Sequence, residues 1–339
     1  MSSRICSWTS RMASSTPGSG RPDIARAPVV SAVVADPGDG GSAPEGAWRL
    51  PALPKPAGPY RRAWWRLRRD RVAMLSASVL VVVAIVAYLV PMVIGIDPYQ
   101  QSLRDSLQPP GTPGHLLGTD NFGRDVLLRL VDGGRVSLSV GLLAVAISAS
   151  IGGLIGLVAG YFGGWTDRIL MRIIDVQLGF PGILLALVII TILGSGLEKV
   201  TIAVGIGGIP RFARVVRGSV LNTKKDLYVE AARSVGATDA RIMFTHLVPQ
   251  TLGAAITIAT FGIATAILSI AGLSFLGLGA QPPTAEWGLM LSEARRYLRT
   301  AWWLAVFPGV AIMTVVLCVN LLGDAVRDAL DPRITSTAD

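Results

Sequence analysis

The chain is poor in the residues on which most metal, redox and nucleotide chemistry depends. In 339 residues it has two cysteines, Cys6 and Cys318. One lies in a Ser/Pro-rich tail and one in an apolar run, which suits neither a disulfide framework nor a thiolate metal site. Lysine is scarce as well: of 31 basic residues only four are lysines, and they follow Pro54, Glu198, Thr223 and Lys224. A phosphate-cradling P-loop needs a Gly-Lys step, so the chain has no Walker A motif and is not expected to be an enzyme. Charged residues make up 16% of the sequence against 51% hydrophobic, with a mean hydropathy of +0.54. That balance excludes an ordinary soluble domain and points to an all-α integral membrane protein with several spans. The net charge of +9 does not call for nucleic acid, because basic residues collect on the cytosolic loops of such proteins.

Long apolar runs are what the chain does have. Charge-free intervals of 25, 31, 22, 44 and 24 residues lie at 72–96, 136–166, 176–197, 242–285 and 300–323. Each is long enough for a spanning helix of about 20 residues. The 44-residue interval is long enough for two, but 273–283 is crowded with Gly and Pro, so one helix at 249–272 followed by a loop is predicted. Five spans fail a topology test. Arg61, Arg62, Arg66, Arg68, Arg69 and Arg71 fix the N-terminus inside. Three crossings later the chain is outside, which would strand Arg211, Arg214, Arg217, Lys224, Lys225, Arg233 and Arg241 there. A sixth helix at 199–220 returns them inside. Basic residues from 55 onward then divide 18 inside to 8 outside. Both termini are expected in the cytosol and the protein in the plasma membrane. His115 and His246 fall on opposite sides, so they cannot share a metal ion.

Arg211, Arg214 and Arg217 recur every three residues and share one side of the sixth helix. Charge at the bilayer centre costs at least ~2.5 kcal/mol, so they either snorkel to the interface or line an inner vestibule. Asp175, Gln177 and Asn320 are further vestibule candidates, with interhelical hydrogen bonding as the alternative. Glycines such as Gly152, Gly153, Gly156, Gly205, Gly207 and Gly208 suit close helix packing, or else a hinge. Residues 1–60, rich in Ser, Pro, Gly and Ala, read as a disordered cytosolic tail. The apolar run 27–35 within it is too short, too late and too interrupted for a signal peptide.

The most informative stretch is EAARSVGATDARIMFTHLVP at 230–249. It is a polar, helix-favouring segment between apolar runs, broken at Gly236, with a second helical run at 238–247 ending at Pro249. Glu-Ala-Ala, a Gly four residues on and a Pro thirteen after that resemble the EAA loop of ABC-importer permeases. A second motif, LGTDNFGRDV at 117–126, lies outside. Thr119 or Asp120 is placed to cap a helix starting near Asn121, and Arg124 and Asp125 to tie the loop down. Together with HLLGTD at 115–120, LSFLGLG at 273–279, QPP at 281–283, EWG at 286–288, LLGD at 321–324 and RDALDPR at 327–333, these motifs make residues 60–333 similar to the C-type permeases of the dipeptide/oligopeptide/nickel ABC-importer family. The EAA loop closes here on HLVP at 246–249, a small departure from the family's Ile-x-Leu-Pro.

That resemblance implies the type I ABC importer permease fold with six transmembrane helices and a cytosolic coupling helix. Its expected parts are the tail 1–60, a first segment 61–96, an extracytoplasmic loop 97–135, a permease core 136–323 with a second extracytoplasmic loop 273–300, and a cytosolic end 324–339. It implies half of a translocation pathway for dipeptides or oligopeptides, with nickel or haem as the alternative cargo. The implied partners are a homologous B-type permease, two ATPase subunits and an extracytoplasmic substrate-binding protein, with ATP and Mg bound by the ATPases and no cofactor in this chain. Val229, Glu230, Ala231, Ala232, Val235 and Gly236 are the implied ATPase-coupling residues. The external-loop motif is Gly118, Thr119, Asp120, Gly123, Arg124 and Asp125. A self-sufficient secondary transporter would favour paired buried carboxylates within its spans; no obvious pair stands in the sequence. A receptor or scaffold would place its function in residues 1–60.

Overall fold

The structure, a computed structural model, describes residues 59–95 and 97–330. The tail with its run 27–35 and Cys6, and residues 331–339 of the C-terminal end, lie outside the described residues. Every regular element among the described residues is helical. Helix α1 (Pro59–Arg69) gives way to α2 (Arg71–Ile94) at Asp70, whose extended backbone and carboxylate cap α2 through the amides of Val72 and Ala73 at 2.8 and 3.2 Å. Helix α3 (Val126–Phe162) has 37 residues, about 55 Å of helix, well beyond an apolar layer of about 30 Å. It therefore links the two ends of the bundle: a loop end, where it starts, and an elbow end, where it stops.

α4 (Gly164–Leu178) and α5 (Gly182–Leu193) follow, with a 91° bend between them. Gly179, Phe180 and Pro181 make the break. Pro181 has no N–H for the ladder, and its ring disfavours a helical residue before it. The expected third span, one helix across 176–197, is thus two helices at nearly a right angle. α6 (Leu197–Thr223) matches the helix expected from charge topology at 199–220. Four helices among the described residues are both long and apolar enough to cross a membrane, and the α4–α5 pair makes a fifth if counted as one. α6 has the length, but it carries Glu198, Lys199 and three arginines.

α7 (Leu227–Ser234) is the first arm of the elbow, and Gly236 turns the chain at φ +82°, a conformation that a β-carbon would strain. The second arm is not a separate helix. α8 (Asp239–Arg241), capped by Thr238, passes through a π-helical turn, Ile242–Leu247, directly into α9 (Val248–Phe275). The widened turn lies just before Pro249, whose ring opposes the carbonyl four residues back. α10 (Trp287–Ala294) and α11 (Trp303–Leu330) complete the chain. One expected boundary also moves: α3 starts at Val126, inside the expected loop 97–135. Asp125, not Thr119 or Asp120, is the N-cap of that helix, accepting from Leu128 N at 3.1 Å.

The centre of the bundle is the α3–α6 pair. A β-carbon at Gly152 or Gly156 would stand 2.5 Å from Ile209 O or 2.4 Å from Ala213 O, and one at Gly208 would stand 2.3 Å from Ser148 Oγ. The two backbones touch along this seam, as small residues allow where apolar surroundings supply no hydrophobic drive. Ser148 Oγ donates to Gly205 O across it at 2.6 Å. Gly153 and Gly207 face open space and take no part in the seam. α9 and α5 close a core around Ala144, Phe212, Ala266 and Ile270.

Candidate functional site

At the elbow end, Val229 is the anchor. It is 1% exposed and packs with Leu157, Tyr161, Val216, Val220, Ile242 and Leu247. Tyr161 Oη donates to Asp239, and Lys224 Nζ donates to the Tyr161 carbonyl. The first ties the elbow to the end of α3, and the second ties the end of α6 to that same end of α3. Val229, expected among the docking residues, is therefore committed to the chain's own core and is not free to seat in a partner. The opposite face of α7 is open. Leu227 is 82% and Val235 85% exposed, and Glu230, Ala231 and Ser234 are exposed between them. These positions fall at i, i+3, i+4, i+7 and i+8, one helical stripe. Ala232 is half-buried at its margin. Leu227 was missed in the sequence because it precedes the Glu-Ala-Ala signature. Its signal was the helical spacing to Ala231 and Val235.

Beside the elbow the arginines of α6 meet α4. Arg217 makes a bidentate pair with Asp167 at 2.5 and 2.6 Å, and Arg214 Nη2 meets Asp175 Oδ1 at 2.7 Å. Asp175 is thus an arginine partner. Asp167, which sequence reading did not single out, is the other. A cavity of about 600 Å³ opens between α3, α5, α6 and α9, with Gln177, Arg211 and Arg214 at its polar side. Gln177 Nε2 donates to Ile206 O at 2.6 Å. Asn320, half-buried in α11, is not part of this lining, nor is Arg217.

At the loop end the 117–126 motif folds back on itself. Gly118 and Gly123 have φ of +79° and +70°, and a β-carbon at Gly123 would lie 1.8 Å from Ser102 O. Thr119, Asp120 and Arg124 are buried. Asp120 accepts from the amides of Phe122 and Arg124 at 2.8 and 3.0 Å and from Arg124 Nε at 2.6 Å. Arg129 Nη2 reaches Glu293 Oε2 at 3.0 Å, and Arg124 Nη2 stands 3.6 Å from the same oxygen. Two arginines and two carboxylates thereby lock the loop that precedes α3 to α10. Burial raises the Glu293 carboxyl above its ordinary range, and the two arginines oppose that shift. Asp125, besides capping α3, bonds His115 Nδ1 at 2.8 Å. Glu286 is buried as the cap of α10, accepting from Gly288 N and Leu289 N at 3.0 and 2.8 Å. Its carboxyl is pushed upward by burial. Arg129, Glu286 and Glu293 went unread as a set because their partners lie far away in sequence.

Comparison with known proteins fixes the class. Residues 152–336 match the family described as binding-protein-dependent transport system inner membrane component, and residues 58–110 match the N-terminal TM domain of oligopeptide transport permease C. The chain belongs to this family of ABC-importer permease subunits, which are membrane components of transporters and not enzymes. Among its relatives is the glutathione transport system permease protein GsiD of Escherichia coli O157:H7, 47% identical over 276 residues, or 81% of this chain and 91% of that one. GsiD of Pectobacterium atrosepticum is 44% identical over 278 residues, 82% and 92% of the two chains. Among solved structures, a chain of the inward-facing MetNI methionine ABC transporter aligns with 60% of this chain and 97% of its own length. The TM-score is 0.48 and the identity 21%.

Proposed function

We propose that this chain is one permease of an ATP-driven importer of small peptides, and that it couples to its ATPase through the exposed stripe of α7. In this reading α2, α3, the bent α4–α5 pair, α6, α9 and α11 are the six crossings. The elbow and both termini face the cytosol, and the loop end faces outward. A B-type permease completes the pathway, two ATPase subunits bind ATP and Mg, and an extracytoplasmic binding protein delivers cargo to the loop end. The family's dependence on a binding protein and the relatives named for glutathione transport support a peptide-type cargo. No specific observation favours nickel or haem.

The observation that carries the coupling role is the split of α7 into two faces. Val229 roots the helix in the core while Leu227, Glu230, Ala231 and Val235 stand clear of it. An amphipathic helix presented this way suits a groove on a partner. Glu230 lies in its first turn, where negative charge is favoured. A push on α7 is passed through Val229, Ile242 and Leu247 to the feet of α3, α6 and α9. The test is uptake of a labelled dipeptide by the reconstituted complex. Gly236→Pro, which cannot adopt φ +82°, and Glu230→Arg abolish uptake while membrane insertion persists. Normal uptake by either variant refutes the coupling role.

A further inference from the structure

The charge on the cavity between α3, α5, α6 and α9 is one-sided. Its walls are apolar, with Ala144, Val204 and Ala266 among them, and among the described residues no aspartate or glutamate lines it. Two guanidinium groups do. Arg214 is neutralised by Asp175 at 2.7 Å, and Arg217, just outside, is neutralised by Asp167. Arg211 lines the same cavity, is exposed to it, and has no carboxylate within ion-pair distance among the described residues. An α4 carboxylate thus answers each of the second and third arginines of the series, while the first is left uncompensated. A lone cation beside low-dielectric walls focuses a positive potential into the space it faces.

We propose that Arg211 is the counter-ion for a free carboxylate of the translocated solute, so that the pathway itself favours anionic peptides over amidated or cationic ones. This rests on the permease reading above, and it adds a selectivity step inside the membrane beyond any made by the binding protein. Glutathione, with two carboxylates to one ammonium group, is a solute of this class. The fork of a guanidinium also gives a carboxylate two parallel donors.

The test reads the cavity potential without requiring transport. Gly207 lines the cavity with open space at its β-carbon position, so Gly207→Cys, on a Cys6→Ser, Cys318→Ala background in the full complex in nanodiscs, places a thiol there. Its rates of modification by an anionic and a cationic methanethiosulfonate of similar size give a ratio. Arg211→Gln lowers the anionic-to-cationic ratio by about tenfold, the order expected of one partly screened charge, and Arg211→Lys retains it. In the transporting complex Arg211→Gln also lowers the uptake ratio of a free-acid dipeptide to its amide, and Arg211→Lys, which keeps the charge without the two-donor fork, restores it in part. An unchanged reagent ratio overturns the proposal, since Arg211 is then neutralised by a partner chain. An effect seen only in nanodiscs with anionic lipid assigns the arginine to a headgroup and overturns it too. Failure of every variant and the parent to take up any peptide while the reagent ratio still shifts counts against the importer reading, and leaves the cavity charge established.

Discussion

The two faces of α7 make separable predictions. Leu227 and Val235 are almost fully exposed, whereas Val229 is 1% exposed in the cluster that joins the elbow to α3, α6 and α9. Truncating Leu227 and Val235 to alanine removes five carbons from surface that only a partner can cover. At about 0.8 kcal/mol per buried methylene, the double variant loses about 4 kcal/mol of docking free energy, or about a thousandfold in affinity. Because both side chains are open in the chain itself, its melting is expected to change by no more than about 0.5 kcal/mol. Val229→Ala is the reverse case. It leaves a cavity in the chain's own core, which costs about 1–3 kcal/mol of stability, and weakens docking only through loosening of the elbow. The assay is titration of the permease pair in nanodiscs with isolated ATPase subunits, alongside thermal melts of the same samples. Unchanged ATPase affinity in the double variant, with normal insertion, refutes the assignment of the open face. So does a Val229→Ala variant that melts normally yet loses the ATPase.

Other outcomes follow from the rest of the molecule. In the α3–α6 seam, Gly156→Val drives side-chain atoms into the Ala213 carbonyl region and is expected to abolish stable membrane accumulation. Gly153→Ala, with open space around it, is expected to be accepted and to gain up to about 1 kcal/mol of helix stability; immunoblots and melts compare them. Glu293→Gln leaves the buried Arg124 and Arg129 under-compensated and is expected to cost about 3–5 kcal/mol, read as a lowered melting temperature. Burial holds the Glu286 carboxyl above its ordinary range, so the folded protein keeps that proton where the unfolded chain has lost it. Its contribution is fully present below the unfolded value and is lost as pH rises through the folded one. Melts across that window therefore decline with pH, and Glu286→Gln flattens this part of the profile.

Much of this was legible because it is written locally. Charge-free intervals marked α2, α3, α9 and α11, and the count of arginines demanded a helix where α6 stands, although hydropathy alone passes over it. The Glu-Ala-Ala stretch located the elbow, and Gly236 its turn. The bend between α4 and α5 was missed although Pro181 stands in the sequence, because apolarity was read across 176–197 without weighing that break. α9 runs to Phe275, past the expected helix end at 272, and α3 starts at Val126, inside the expected loop 97–135. Arg129, Asp132 and Arg135 fall within the expected loop 97–135 but stand on turns of α3, facing Glu293, Tyr99 and solvent.

The sequence by itself determined that this is a multi-span membrane chain without a Walker A motif, that a helix stands at the cation-rich stretch 199–220, and where the elbow bends. Those properties depend on composition, spacing and the conformational range of single residues. Only the tertiary structure decided that Val229 points inward and Leu227 outward, that Asp175 and Asp167 answer two of three arginines, and that Glu293 closes on Arg129. The partners in those pairs lie 39, 50 and 164 residues apart. A side chain's burial and net charge are set by what packs across from it, which periodicity along one helix cannot specify.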